Sequence, residues 1–313
     1  MNTLLLLMKR EYWEHRSFVW TPVWITSAIL ILTLLTTISA EIFAGRAGIP
    51  MGFTLDALRY GSAGLAEFSN GFDLSQLMFA AASCIGVFAV SFFYLLGSLY
   101  DDRRDRSVLF WKSLPISDTA TVASKALTAM LVIPSFALAI STLAYIAFVA
   151  LIVLWAGMHG LSALPAVADA HPLAMFSHLL LMLPIGALWT LPTVGWLMFW
   201  SAYARSKPFM WAVLLPIIAV IANAWLHLIG GPHIGGDVSF VAILSRLLFS
   251  VMPGGWLNAT SFDLHDRHIV DTLDPGRIGA VLGSPNLWLG VVAGLALLAA
   301  AVWLRGRRIE TNV

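Results

Sequence analysis

The side chains that could do chemistry in this chain are few, and most sit outside its apolar stretches. Asp263, His265, Asp266, His268 and Asp271 are residue types that ligate metals or move protons. Their spacing does not put them on one helix face, and a lone His-x-x-His specifies no metal site. The stretch reads as a hydrated loop, so no metal and no catalytic residue is assigned; a lipid-modifying membrane enzyme built on His265 and His268 is the competing reading. Asn223 and His227 stand one helical turn apart in apolar surroundings, with His178 the other polar group at depth. Such a pair suits hydrogen bonding to a neighbouring helix or the lining of a polar pathway. No Gly-Lys dipeptide occurs anywhere, so the chain has no P-loop to cradle a nucleotide's phosphates. Any ATP hydrolysis linked to this chain belongs to a separate subunit.

The elements that position these residues follow from composition. Of 313 residues 59% are hydrophobic and 11% charged, with a mean hydropathy of +0.84. Six apolar runs approach or exceed the roughly 20 residues that a helix needs to cross a bilayer. They are Trp20 to Ala40, Leu77 to Leu99, Leu127 to Trp155, Leu173 to Trp200, Phe209 to Ile229 and Leu287 to Leu304. None alternates with the period of a barrel strand, and a backbone in lipid must satisfy its own hydrogen bonds, so each is a helix. The expected fold is all-α, a single six-span domain. The first run is too long for a secretory leader, and Ile38-Ser39-Ala40 is a poor cleavage site. The one cysteine, Cys84, lies inside a run and forms no intrachain disulfide.

No Asp, Glu, Lys or Arg occupies the middle of a run, which argues against ion-coupled antiport and an intramembrane acid enzyme. Of the 18 Lys and Arg, only Arg46, Arg59, Arg246, Arg267 and Arg277 lie in the first and fifth connections; the rest flank the termini and the second and fourth connections. That bias predicts both termini on the cytoplasmic side. The expected setting is a bacterial inner membrane, with the lipid bilayer and no nucleic acid as partner. Trp20, Trp155, Trp200, Trp211, Trp288 and Trp303 fall near run ends as interfacial anchors. Gly290 and Gly294 permit close helix approach, and Pro184 and Pro192 are expected to kink the fourth span.

The densest charged segment follows the second span: Asp101, Asp102, Arg103, Arg104, Asp105 and Arg106, then Val108 to Trp111, then Leu114 and Pro115. Asp102 and Arg106 have the favourable acid-first spacing on a helix. Pro115 would end that helix, and Ser117 or Asp118 would cap the next. Phe110 and Trp111 are large apolar groups outside any span and need a surface to cover them. Ahead of the first span, Leu5, Met8 and Tyr12 fall on one stripe, with Arg10 and Glu14 opposite, as in a helix lying in the membrane interface.

An acidic-Arg-Arg stretch after the second span, a Leu-Pro-x-Ser turn and a Lys leading into the third resemble the permease subunits of ABC exporters of the second membrane-domain class. The resemblance covers most of the chain: an interfacial N-terminal helix, six spans, the charged segment and a long connection between spans five and six. It implies that Asp102, Arg103, Arg104, Asp105 and Arg106, with Phe110, Trp111, Leu114 and Pro115, dock on a cytoplasmic ATPase subunit and transmit its movement. It also implies that ATP and magnesium bind in that partner and no cofactor in this chain, and that a second copy or sister permease completes the pathway. Residues 230–286 are too many for a plain connection, and Val238 to Met252 is apolar but shorter than a span, an interfacial or re-entrant helix ended by Pro253. The resemblance makes it an external gate, with Phe240, Leu244, Leu248 and Pro253 as its residues. A membrane anchor that recruits an ATPase without transporting anything remains a third reading.

Overall fold

The computed structural model describes residues 3–47, 62–105, 116–230, 237–252 and 275–307. Among these the chain is helical with no strand: α1 (Thr3–Glu14), α2 (Ser17–Ala47), α3 (Ser62–Ser98), α4 (Tyr100–Arg104), α5 (Asp118–Met158), α6 (Leu164–Asp169), α7 (Pro172–Tyr203), α8 (Met210–Leu228), α9 (Asp237–Phe249), α10 (Pro275–Ala280) and α11 (Pro285–Arg307). Six of them, α2, α3, α5, α7, α8 and α11, are long and apolar enough to cross a membrane, which gives the molecule a multi-pass membrane architecture. Each includes the run expected from the sequence to within a residue or two, and α3 and α5 extend well past theirs into charged stretches.

The core lies between α3, α5, α7 and α11. Leu95, Ile133, Leu197 and Met198 are fully buried there. Glycine sets the closest approach. A Cβ on Gly195 would lie 2.5 Å from the Gly294 carbonyl oxygen, and one on Gly294 would lie 2.5 Å from the Leu191 carbonyl carbon. The two backbones therefore touch where α7 crosses α11, an approach only glycine permits. Spans α2 and α8 sit at the periphery: Trp24, Ile31, Leu32 and Leu35 on α2, and Ile218, Ile221 and Trp225 on α8, are exposed. In water such faces would be untenable; against lipid tails they are solvated.

Two spans contain π-turns, and proline accounts for both. Thr128–Val132 in α5 precedes Pro134, and Met210–Leu214 in α8 precedes Pro216. A proline cannot donate to the carbonyl four residues back, and widening the preceding turn relieves the clash of its ring. The carbonyl freed by Pro216, that of Ala212, accepts the Trp196 indole N–H at 3.0 Å. Pro184 and Pro192 are accommodated within a continuous α7.

Two sequence expectations shift. The buried stripe of α1 is Leu7 and Glu11, not Leu5, which is 63% exposed; α1 packs against the start of α5, and Tyr12 stacks on Phe136 at 5.3 Å. Trp200 is not an interfacial anchor but is buried, stacked on Trp211 at 5.9 Å. Trp155 donates to Glu41 Oε1 at 2.6 Å. Trp20, Trp288 and Trp303 are exposed, as anchors would be.

Candidate functional site

Buried charge gathers at one end of the bundle, around the five-residue helix α4. The chain leaves α3 through Leu99, and the backbone N–H groups of Leu99 and Tyr100 both donate to Ser201 Oγ at 3.0 Å. Asp101 and Asp102 then occupy the first turn and Arg103 and Arg104 the last, the order that complements a helix dipole.

Asp102 turns inward. One oxygen lies 3.6 Å from Lys125 Nζ on α5 and the other 3.2 Å from Arg305 Nη1 on α11. Arg305 Nε also donates to Asp118 Oδ1 at 2.9 Å. Lys125 continues the chain to Glu11 Oε1 on α1 at 3.3 Å, and the second Glu11 oxygen accepts the Tyr94 hydroxyl of α3 at 2.8 Å. Arg10 closes the outer side, 3.2 Å from Glu11 Oε1 and 2.9 Å from Glu14 Oε1. Glu11, Lys125 and Arg305 are almost fully buried. Charges at that depth persist because each faces an opposite one within hydrogen-bond reach. The network joins α1, α3, α4, α5 and α11, and brings α1 and the last turn of α11 to the same end of the molecule.

Arg103 ties α4 to a further span. Its guanidinium donates to the carbonyl oxygens of Ser201 and of Ala204, the latter at 3.1 Å. These lie at the C-terminal end of α7, where helix carbonyls lack partners and the dipole is negative, so Arg103 is that helix's cap. Arg104 and Asp105 are exposed. Of the docking residues expected from the sequence, Asp102 and Arg103 are thus engaged within the chain while Arg104 and Asp105 present a surface. Arg106, Phe110, Trp111, Leu114 and Pro115 lie outside the described residues. Ser117 caps α5, its Oγ accepting from the Ala120 N–H at 3.1 Å.

A second arrangement seats α9. Thr193 Oγ1 in α7 donates to the Arg246 carbonyl at 2.9 Å and accepts from the Ser250 N–H at 3.0 Å. The Arg246 guanidinium lies 4.0 Å over the Trp189 ring and fills the space left by Gly290, where a Cβ would collide with it. Phe249 stacks on Phe88. The end of α9 therefore lies against the interior of α3 and α7. Ser250, Val251 and Met252 then close a small apolar cavity of about 130 Å³ between α3, α5 and α7. Of the expected gate residues, Leu248 is buried and Leu244 half-buried; Phe240 belongs to α9, and Pro253 lies outside the described residues. Asn223 is buried on α8 and His227 is exposed, so the structure does not put both on one inward surface. Asp263, His265, Asp266, His268 and Asp271 lie outside the described residues.

Sequence reasoning missed Glu11, Tyr94, Ser201 and Arg305, and read Asp118 only as a candidate cap. Their only local signal was position, since polar groups at the margins of apolar runs are the ones a bundle can bring together.

Comparison with known proteins returned no matching family model, no matching curated protein and no matching solved structure.

Proposed function

We propose that this chain is the membrane-spanning permease subunit of an ATP-driven exporter, with ATP and magnesium bound by separate cytoplasmic ATPase subunits and both termini on the cytoplasmic side. The observation that carries the reading is the anchoring of α4. A helix of five residues, too short to be stable alone, is fastened through Asp102 to α5 and α11, through Arg103 to α7, and through Ser201 to its own exit from α3. Force applied to the exposed Arg104 would reach α5 and α11 through the ion pairs of Asp102 and α7 through the hydrogen bonds of Arg103. A hydrated loop would need none of this. Transmission of ATPase closure needs all of it.

The cavity between α3, α5 and α7, at about 130 Å³, is well below the roughly 300–1,000 Å³ of sites that take organic ligands. The reading therefore places the pathway for an apolar or amphiphilic cargo between two permease chains, a second copy or a sister subunit, in the bacterial inner membrane. The end of α9, held by Thr193 and Arg246, is the element that would gate it on the external side.

The test is purification of the tagged chain in mild detergent from its native host. A P-loop ATPase should co-purify and be lost on Arg104→Glu, while Lys207→Glu, on the connection between α7 and α8, should retain it. A folded chain that purifies alone would overturn the reading.

A further inference from the structure

Between the point where α2 meets α3 and helix α4, residues of α1, α2, α3, α4 and α5 line a cleft of about 780 Å³. The meeting point is Gly86. A Cβ there would collide with Ile25 Cδ1 and come within 3.0 Å of Thr21 Cγ2, so a larger residue would push the Ile25 side chain aside. From there toward α4 the α3 wall is Ala89, Val90, Phe93 and Tyr94, faced by Phe18 and Thr21 of α2. The cleft is open along Ala89 and Phe93, both of which are exposed on a face that the six-span architecture places against lipid. From Ala89 to Ser98, at 1.5 Å per residue, is about 14 Å, close to half the ~30 Å hydrocarbon core.

The far end of the cleft is acidic. Glu14, Asp101, Asp102 and Asp105 line it with His15 and two cations, Arg10 and Lys125. Both cations are engaged, Arg10 by Glu11 and Glu14 and Lys125 by Glu11 and Asp102. Asp101 and Asp105, one helical turn apart, make no ion pair among the described residues. Gly97 makes room for the first of them, since a Cβ there would lie 2.5 Å from Asp101 Oδ2. The cleft thus has an apolar wall one leaflet deep that opens sideways to lipid, and an anionic floor at the level of the headgroups.

We propose that this cleft binds an amphiphile with a cationic amine head, its chain along Ala89 to Phe93 and its head at Asp101 and Asp105. As the entrance for a cargo the proposal rests on the permease reading; as a binding site it does not. A volume of about 780 Å³ is that of a ligand site, and net charge complementarity selects the head. An anionic amphiphile of the same length would place its charge against two carboxylates and be rejected.

The experiment uses the full chain in discs of phosphatidylcholine, with dodecylamine carrying a chain-terminal diazirine and the matching dodecanoic acid as probes. The amine should label peptides holding Ala89 to Phe93 or Phe18 to Thr21 at least about five-fold more than the acid, the ratio for an interaction of roughly 1 kcal/mol. Asp101→Asn should lower amine labelling, and Val90→Trp, which fills the apolar wall, should lower it by a similar factor. Thermal unfolding of each variant checks that it is folded; two independent variants keep the test open if one is not. Equal labelling by amine and acid, or labelling unchanged by folded Asp101→Asn and Val90→Trp, overturns the proposal. An ATPase that co-purifies with a chain the amine does not label would leave the permease reading standing and remove this cargo.

Discussion

At the scale of single residues, the charges divide into those that hold the fold and those that are presented. Lys125 is buried between Glu11 and Asp102, so Lys125→Met leaves two acids facing each other and should cost about 3–5 kcal/mol. The measurement is thermal unfolding in detergent, and Glu11→Gln in the same chain should recover part of the loss. Arg103→Ala removes a cap from α7 and should cost about 1.5–3 kcal/mol, the range for hydrogen bonds to a charged group. Arg103→Lys should recover little, because one ammonium does not reproduce the guanidinium's spread of donors. Gly294→Ala puts a methyl against the Leu191 backbone and should destabilise by about 1–3 kcal/mol, whereas Gly306→Ala, with open space around it, should be neutral or slightly stabilising. The importance of Gly294 was legible in its spacing from Gly290, though the two do different work: Gly294 meets a backbone and Gly290 a guanidinium. The charge network was not legible. Asp102 and Arg305 are 203 residues apart, and no local spacing reports a contact of that range.

At the scale of elements, the apolar runs fixed the number of spans but not their ends, because hydropathy stops at the first charge whereas a helix does not. α5 begins at Asp118, nine residues before its apolar run, since Asp118 and Lys125 find their counter-charges on α1, α4 and α11. α1 shows the same limit. Its periodicity suggested a lipid-facing stripe, and tertiary packing chose Leu7 and Glu11 instead. The seating of α9 is testable by itself. Thr193→Val removes both hydrogen bonds that hold Arg246 and Ser250, so hydrogen exchange across Val241 to Met252 should speed up while exchange in α3 and α11 stays as in the parent chain. Equal acceleration everywhere would mean that Thr193 supports the whole bundle rather than this one element.

For the whole molecule, the multi-pass helical architecture follows from composition and is borne out, while direction in the membrane and partners depend on surfaces whose counterparts are other molecules. Orientation has a direct check. In a Cys84→Ser background, Lys207→Cys should be shielded from a membrane-impermeant maleimide in intact cells and His159→Cys should react. The claim on which the rest depends is that α4 presents its exposed face to an ATPase and its inner face to the spans. Photo-cross-linking in the native host tests it most directly, with p-benzoylphenylalanine substituted in turn at Arg103 and Arg104. A cross-link from position 104 to a P-loop ATPase is expected, with products from position 103 only within this chain. No ATPase product from position 104, or equal products from both positions, would contradict it.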